Sequence, residues 1–119
     1  MKILVVDDYR TMRRLIRMLL GQLGYDDVVD VGDGEAALAA MRAEQIGLVI
    51  SDLTMAPMSG LELLRAVRSD AALKSTPFLM VIAEGHSDQV TAIRQAGVSD
   101  HIVKPFNSEM LKEKIVSVL

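Results

Sequence analysis

Short apolar runs alternate along this chain with stretches in which apolar residues recur every three or four positions. Ile3–Val6 is continuously apolar, the pattern of a strand buried on both faces. From Thr11 to Leu23, Met12, Leu15, Ile16, Leu19, Leu20 and Leu23 fall at helical spacing, while Arg10, Arg13, Arg14 and Arg17 take the other side. Gly24 then supplies a stop. Asp27–Val31 alternates polar and apolar residues, which predicts an edge strand. An alanine-rich helix follows from Gly34 to about Ala43, then a strand at Leu48–Ser51 and a helix at Leu61–Arg68. Thr76-Pro77 marks a loop before the apolar strand Phe78–Ile82. Ser87 is placed to cap a helix carrying Val90, Ile93 and Ala96 and ended by Gly97, with His86 just before it. Ile102-Val103 is a fifth strand, and Asn107 or Ser108 caps a last helix lined by Leu111, Ile115 and Val118.

Repeated strand–helix units with short connections predict an α/β domain, a parallel sheet covered on both faces, spanning residues 1–119. That length suffices to bury one core. Net charge is -3, so the basic footprint of a nucleic-acid binder is missing. The chain has no cysteine, which excludes disulfides and thiolate metal sites. The opening apolar run is too short for a signal peptide, and no window has the length of a membrane span. A cytoplasmic, monomeric protein is the expectation. The eight methionines are read as core and loop packing.

The chemistry collects where strands end. Asp7 and Asp8 follow the first strand, Asp52 the third, and Lys104 the fifth. In an open parallel sheet, sites form beyond the carboxyl ends of the strands. Any one of these residues alone would be read as a turn former or a solvated loop residue. Gathered together, three carboxylates repel unless a cation joins them. A hard divalent ion such as Mg²⁺ suits an all-oxygen donor set. Asp52 would then be the nucleophile of a phosphoryl transfer, with metal and lysine neutralising the transferring oxygens.

These stretches, VVDD (5–8), VISD (49–52), the Met55–Gly60 loop and VKPF (103–106), resemble the receiver domain of two-component response regulators over essentially the whole chain. The segments TMRRLIR, SGLELLRAVRSD, FLMV and AEG are most similar to its stand-alone chemotaxis members. The resemblance implies a doubly wound, flavodoxin-like sheet of strand order 2-1-3-4-5 with five helices. It implies Asp52 as phosphoacceptor, Asp7 and Asp8 as the acidic metal pair, Lys104 as the family lysine, and a Thr54 backbone carbonyl on the metal. It also implies a cis Lys104-Pro105 bond, a sensor histidine kinase as donor, and a protein target on the face of helix four, strand five and helix five. Thr54 and Glu84 fall where the family tunes access of the hydrolytic water.

Two departures concern signalling. The family places Thr or Ser where this chain has Ile82, and usually Tyr or Phe where it has His101. Isoleucine has no donor for a phosphoryl oxygen, so a weakened switch is expected; a phosphate sink and a non-phosphorylated binding module are the alternatives. Arg10 is a candidate compensator, though a solvated arginine is the simpler reading. His101 is taken as a partner-face residue whose ring chemistry can respond to pH. Proline also arrives one place late in Met55-Ala56-Pro57, which predicts a differently bent loop. A phosphohydrolase of the haloacid-dehalogenase type would need an acid two residues beyond the nucleophile, where Thr54 stands.

Overall fold

Strands β1 (Ile3–Val6), β2 (Val28–Val31), β3 (Leu48–Asp52), β4 (Phe78–Ala83) and β5 (Asp100–Lys104) alternate with helices α1 (Arg10–Gln22), α2 (Gly34–Ala43), α3 (Gly60–Ser69), α4 (Val90–Gln95) and α5 (Ser108–Val118). This is a computed structural model, which describes residues 1–84 and 87–119. All pairings are parallel, in the order β2-β1-β3-β4-β5. The chain winds outward from β1 to β2, then returns past β1 to β3 and continues to β5. Right-handed crossovers in opposite directions put helices on opposite faces. Accordingly α1 and α5 cover one face and α2, α3 and α4 the other.

Side-chain alternation along each strand supplies both cores. Leu4, Val6, Val49, Phe78, Met80 and Ile82 point toward α2, α3 and α4. Ile3, Val5, Leu48, Ile50, Leu79 and Val81 point toward α1 and α5. The central strands are buried on both sides, which is why they read as unbroken apolar runs. At the edge, all four residues of β2 are only half-buried.

Helix ends follow local chemistry. Asp33 caps α2 by accepting from the Ala36 N–H, and Asn107, rather than Ser108, caps α5. Ser59 and Glu62 form a reciprocal capping box on α3. Gly24 and Gly97 adopt φ of 89° and 91°, as expected for glycines that end helices. A 3₁₀ turn at Ser87–Gln89 precedes α4, so that helix starts later than its capping pattern suggested. His86 lies outside the described residues, as does the Ser87 side chain with its expected cap. Leu15 departs from its expected burial: it is 39% exposed, because the buried stripe of α1 narrows to Ile16, Leu19 and Leu20. The methionines divide likewise, Met41, Met55 and Met80 lying in the core while Met18 and Met110 are exposed.

Arg68 closes the amino-end side of the sheet. Its guanidinium donates to the carbonyls of Gly97 (2.8 Å), Lys74 (3.0 Å) and Thr76 (2.6 Å), joining α3 to the segments that enter β4 and β5. A cleft of about 510 Å³ lined by Met41, Ile46, Leu73 and Pro77 opens at that same end, away from Asp52.

Candidate functional site

β1 and β3 are neighbours although β2 lies between them in sequence, so the winding reverses at this point of the sheet. Ligand crevices form outside the carboxyl ends of strands at such a reversal. Val6 pairs with Ser51, so Asp7 and Asp52 come next in the same register. Asp8 follows at the surface. One carboxylate oxygen from each of Asp7, Asp8 and Asp52 lies within 4.8 Å of the others. Lys104 reaches across the end of β4 from β5, and its Nζ stands 3.0 Å from Asp52 Oδ1.

Asp7 is 2% and Asp52 7% exposed, so two of the three carboxylates are buried. Asp7 Oδ1 accepts the Tyr9 N–H at 2.8 Å, but its Oδ2 is buried and has no hydrogen-bond partner among the described residues. An unsatisfied buried acceptor costs roughly 1–3 kcal/mol, and more when charged. Burial pushes the Asp7 carboxyl above its ordinary range, with Asp52 and Asp8 adding to the rise and the Tyr9 N–H and Lys104 opposing it. Burial likewise raises Asp52, against the Lys104 hydrogen bond and charge.

These features fit a hard divalent cation. The donors are all oxygens, one of them has no other partner among the described residues, and the charge imbalance is of the sign a cation removes. Asp7, Asp8 and Asp52 are the residues that would hold it.

Comparison with known proteins agrees with the fold. The family model described as the response regulator receiver domain matches residues 3–116. The chain belongs to this family. It is 46% identical over 118 residues to the chemotaxis protein CheY of Pseudomonas aeruginosa, covering 99% of this chain and 95% of that protein. It is 43% identical over 115 residues to the chemotaxis protein CheY-3 of Vibrio cholerae, covering 97% and 88% respectively. Among solved structures, the chemotaxis response regulator CheY4 of Vibrio cholerae superposes with a TM-score of 0.90 at 35% identity, covering 99% of this chain and 98% of that one. The five-stranded order expected from the resemblance is the observed one. Lys104-Pro105 is cis, as the family resemblance implied, and Ala56-Pro57 is cis as well.

The remaining sequence candidates are dispersed around this receiver pocket. Thr54 is exposed just beyond Asp52, and Glu84 is exposed in the turn after β4. Ile82 is 2% exposed, packed in the core shared with α4. His101 is half-buried on β5, with its N–H donating to Asp100 Oδ1 and its Nδ1 3.8 Å from the same oxygen. Arg10 is exposed, and among the described residues its side chain makes no hydrogen bond or ion pair. Sequence reasoning assigned Arg13 to the solvated basic face. In the structure its side chain is 18% exposed and bonds to both the Asp7 carbonyl and Asp30. Its position one turn before Ile16, at the border of the apolar stripe, was the signal available.

Proposed function

We propose that Asp52 accepts a phosphoryl group from the phosphohistidine of a sensor kinase in a Mg²⁺-dependent reaction, and that this chain signals thereby to a protein partner, as a chemotaxis regulator does. The observation that carries this reading is the meeting of Asp7, Asp8, Asp52 and Lys104 around one buried acceptor that has no partner among the described residues. An Asp52 carboxylate oxygen attacks phosphorus, the phosphorus–nitrogen bond breaks with its electron pair leaving on the imidazole, and an acyl phosphate forms. Mg²⁺ held by Asp7, Asp8 and Asp52 would supply charge neutralisation on the transferring oxygens. Lys104 orients the Asp52 carboxylate beforehand and afterwards is in reach of a phosphoryl oxygen. Thr54 would offer a backbone carbonyl to the metal, and the Thr54 and Glu84 side chains would set access for the hydrolytic water.

In this reading the domain assists its own phosphorylation and turns over no free substrate. It acts in the cytoplasm as a monomer and binds neither nucleic acid nor membrane. No helix among the described residues is long and apolar enough to cross a membrane. Incubation with acetyl phosphate and Mg²⁺ followed by intact-mass measurement should give one phosphoryl adduct, lost with chelator and absent in Asp52→Asn. An unmodified wild type, or an adduct surviving in Asp52→Asn, overturns the assignment.

The partner face is α4, β5 and α5. A cavity of about 230 Å³ between β5 and α5 is lined by His101, Val103, Met110 and Lys114. Val103 and Met110 are 38% and 41% exposed, an apolar element suited to a docking protein segment. Beside them, burial would raise Asp100, but the His101 N–H and Lys114 together hold it below the usual carboxylate range.

Reporting is weakened. Ile82 offers the phosphoryl group no donor, and its side chain is already committed to the core with Ile93 of α4. A hydrogen bond to a charged group contributes roughly 1.5–3 kcal/mol, enough to remove most of a population shift while leaving phosphorylation intact. A phosphate sink is the limiting case. Ile82→Thr is expected to extend beryllofluoride-induced amide shifts from the pocket into α4 and β5. It should also cost the free protein about 1–2 kcal/mol for a buried hydroxyl. Shifts in Ile82→Thr confined as in the wild type would reject the weakened-switch account.

A further inference from the structure

The Asp7–Asp8 peptide is held from outside the carboxylate cluster. Arg13 Nη1 donates to the Asp7 carbonyl at 2.7 Å, and its Nε donates to Asp30 Oδ2 at 2.8 Å. Arg17 Nη1 holds the other Asp30 oxygen at 2.8 Å, so Asp30 is bound by α1 at both oxygens. The guanidinium lies against the backbone of Gly32, where a Cβ would stand 3.4 Å from Nη1. On its other side Asp7 donates its N–H to the Val31 carbonyl at 3.2 Å. Both peptide groups of Asp7 are therefore fixed by neighbouring elements.

This matters because the Asp7 carbonyl belongs to the peptide that joins the two acids. Its orientation sets ψ of Asp7 and φ of Asp8, the torsions that turn both carboxylates toward Asp52. Repulsion among three carboxylates works to splay that turn whenever no cation is bound. A bond to the carbonyl resists splaying, and the planar fork of arginine makes it directional. Asp30 offsets one of the two charges of Arg13 and Arg17, so the bracing group carries a single net positive charge.

We propose that Arg13, braced by Asp30, is a positioning residue for the metal site, holding the Asp7–Asp8 turn in the geometry that binds Mg²⁺. This rests on the metal reading above and adds residues that do not touch the ion. Outer partners that orient metal ligands commonly alter affinity by 10–100-fold.

The test is calorimetric titration of the whole chain with Mg²⁺ alone, comparing wild type with Arg13→Ala, Arg13→Lys, Asp30→Ala and the double variant Arg13→Ala with Asp30→Ala, alongside denaturation midpoints. Positioning predicts that Arg13→Ala and Asp30→Ala each weaken Mg²⁺ binding about tenfold. The double variant should be no worse than either single one, and Arg13→Lys, with the charge but not the fork, should recover little. A purely electrostatic role predicts opposite signs for Arg13→Ala and Asp30→Ala and full recovery by lysine. Either result overturns the proposal, as do lowered midpoints with unchanged affinity. Should Arg13→Ala fail to fold, Arg13→Lys and Asp30→Ala decide alone. A wild type that takes up no Mg²⁺ in the millimolar range would instead refute the metal reading itself.

Discussion

Asp7→Asn is expected to stabilise the metal-free protein while abolishing its response to Mg²⁺. The substitution keeps an oxygen for the Tyr9 N–H and replaces the unpartnered Oδ2 with an amide that can donate toward Asp8 or Asp52. Removing one of three charges clustered within 4.8 Å should add on the order of 1 kcal/mol, a few degrees in Tm. Mg²⁺ affinity should fall more than about a hundredfold, since a direct ligand matters more than its outer partners. The stability difference should also depend on pH in a defined direction. Burial raises Asp7 in the folded state, so the folded protein binds that proton more tightly than the unfolded chain. The wild type is therefore penalised at neutral pH and relieved as pH falls through the raised value toward the ordinary 3.8. Thermal melts of both proteins in chelator, from pH 7 downward, should show the gap closing. A variant less stable than wild type at pH 7, or a gap independent of pH, would refute the account.

Gly60→Ala should produce a loss of the opposite sign and larger size. Gly60 opens α3, and its N–H donates to the Leu53 carbonyl at 2.8 Å, folding the loop back onto the end of β3. A Cβ there would collide with the Asp52 carbonyl oxygen and sit 2.8 Å from Leu53 Cα and 2.9 Å from Met80 Sδ. Two of the three obstructions are backbone and cannot rotate away. We expect about 3 kcal/mol of destabilisation, the upper end for overpacking, or roughly 10 °C in Tm. Acyl-phosphate formation should slow as well, because the displaced backbone is that of Asp52. Gly21→Ala is the control: it lies in α1, is exposed and has nothing within 4 Å of the added carbon. It should instead stabilise by roughly 0.5–1 kcal/mol, by restricting the unfolded chain. Equal effects from the two substitutions would show that close approach at Gly60 is not what its position requires.

The pocket was more legible in sequence than the partners that shape it. Asp7, Asp52 and Lys104 stood out because an apolar strand followed at once by a charge is a local pattern, visible without knowing which strands are neighbours. Ile82 and His101 were legible as departures because a motif surrounds each of them. Arg13 was not, because both of its bonds cross to other elements, at separations of 6 and 17 residues. Leu15 misled for a related reason: helical spacing marks a stripe, but how much of it is covered depends on which neighbours lie alongside. The Ser59–Glu62 capping box and the Asp33 cap were present in the sequence as short patterns, and went unread only because the apolar period dominated those segments.

By itself, then, the sequence determined the alternation of strands and helices, the two-sided burial of the central strands, and the charges at their carboxyl ends. These are consequences of period, capping and polarity, which act within a few residues. Pattern and polarity left open which strands are neighbours; the family resemblance implied that β1 lies beside β3, and the tertiary structure shows that order bringing Asp7 and Asp8 to Asp52, with Lys104 arriving from two strands away. Only the tertiary structure decided that Asp7 keeps one buried oxygen without a partner among the described residues and that Arg13 and Asp30 hold the turn around it. Those facts depend on strand order and helix rotation, which are set by packing both cores at once.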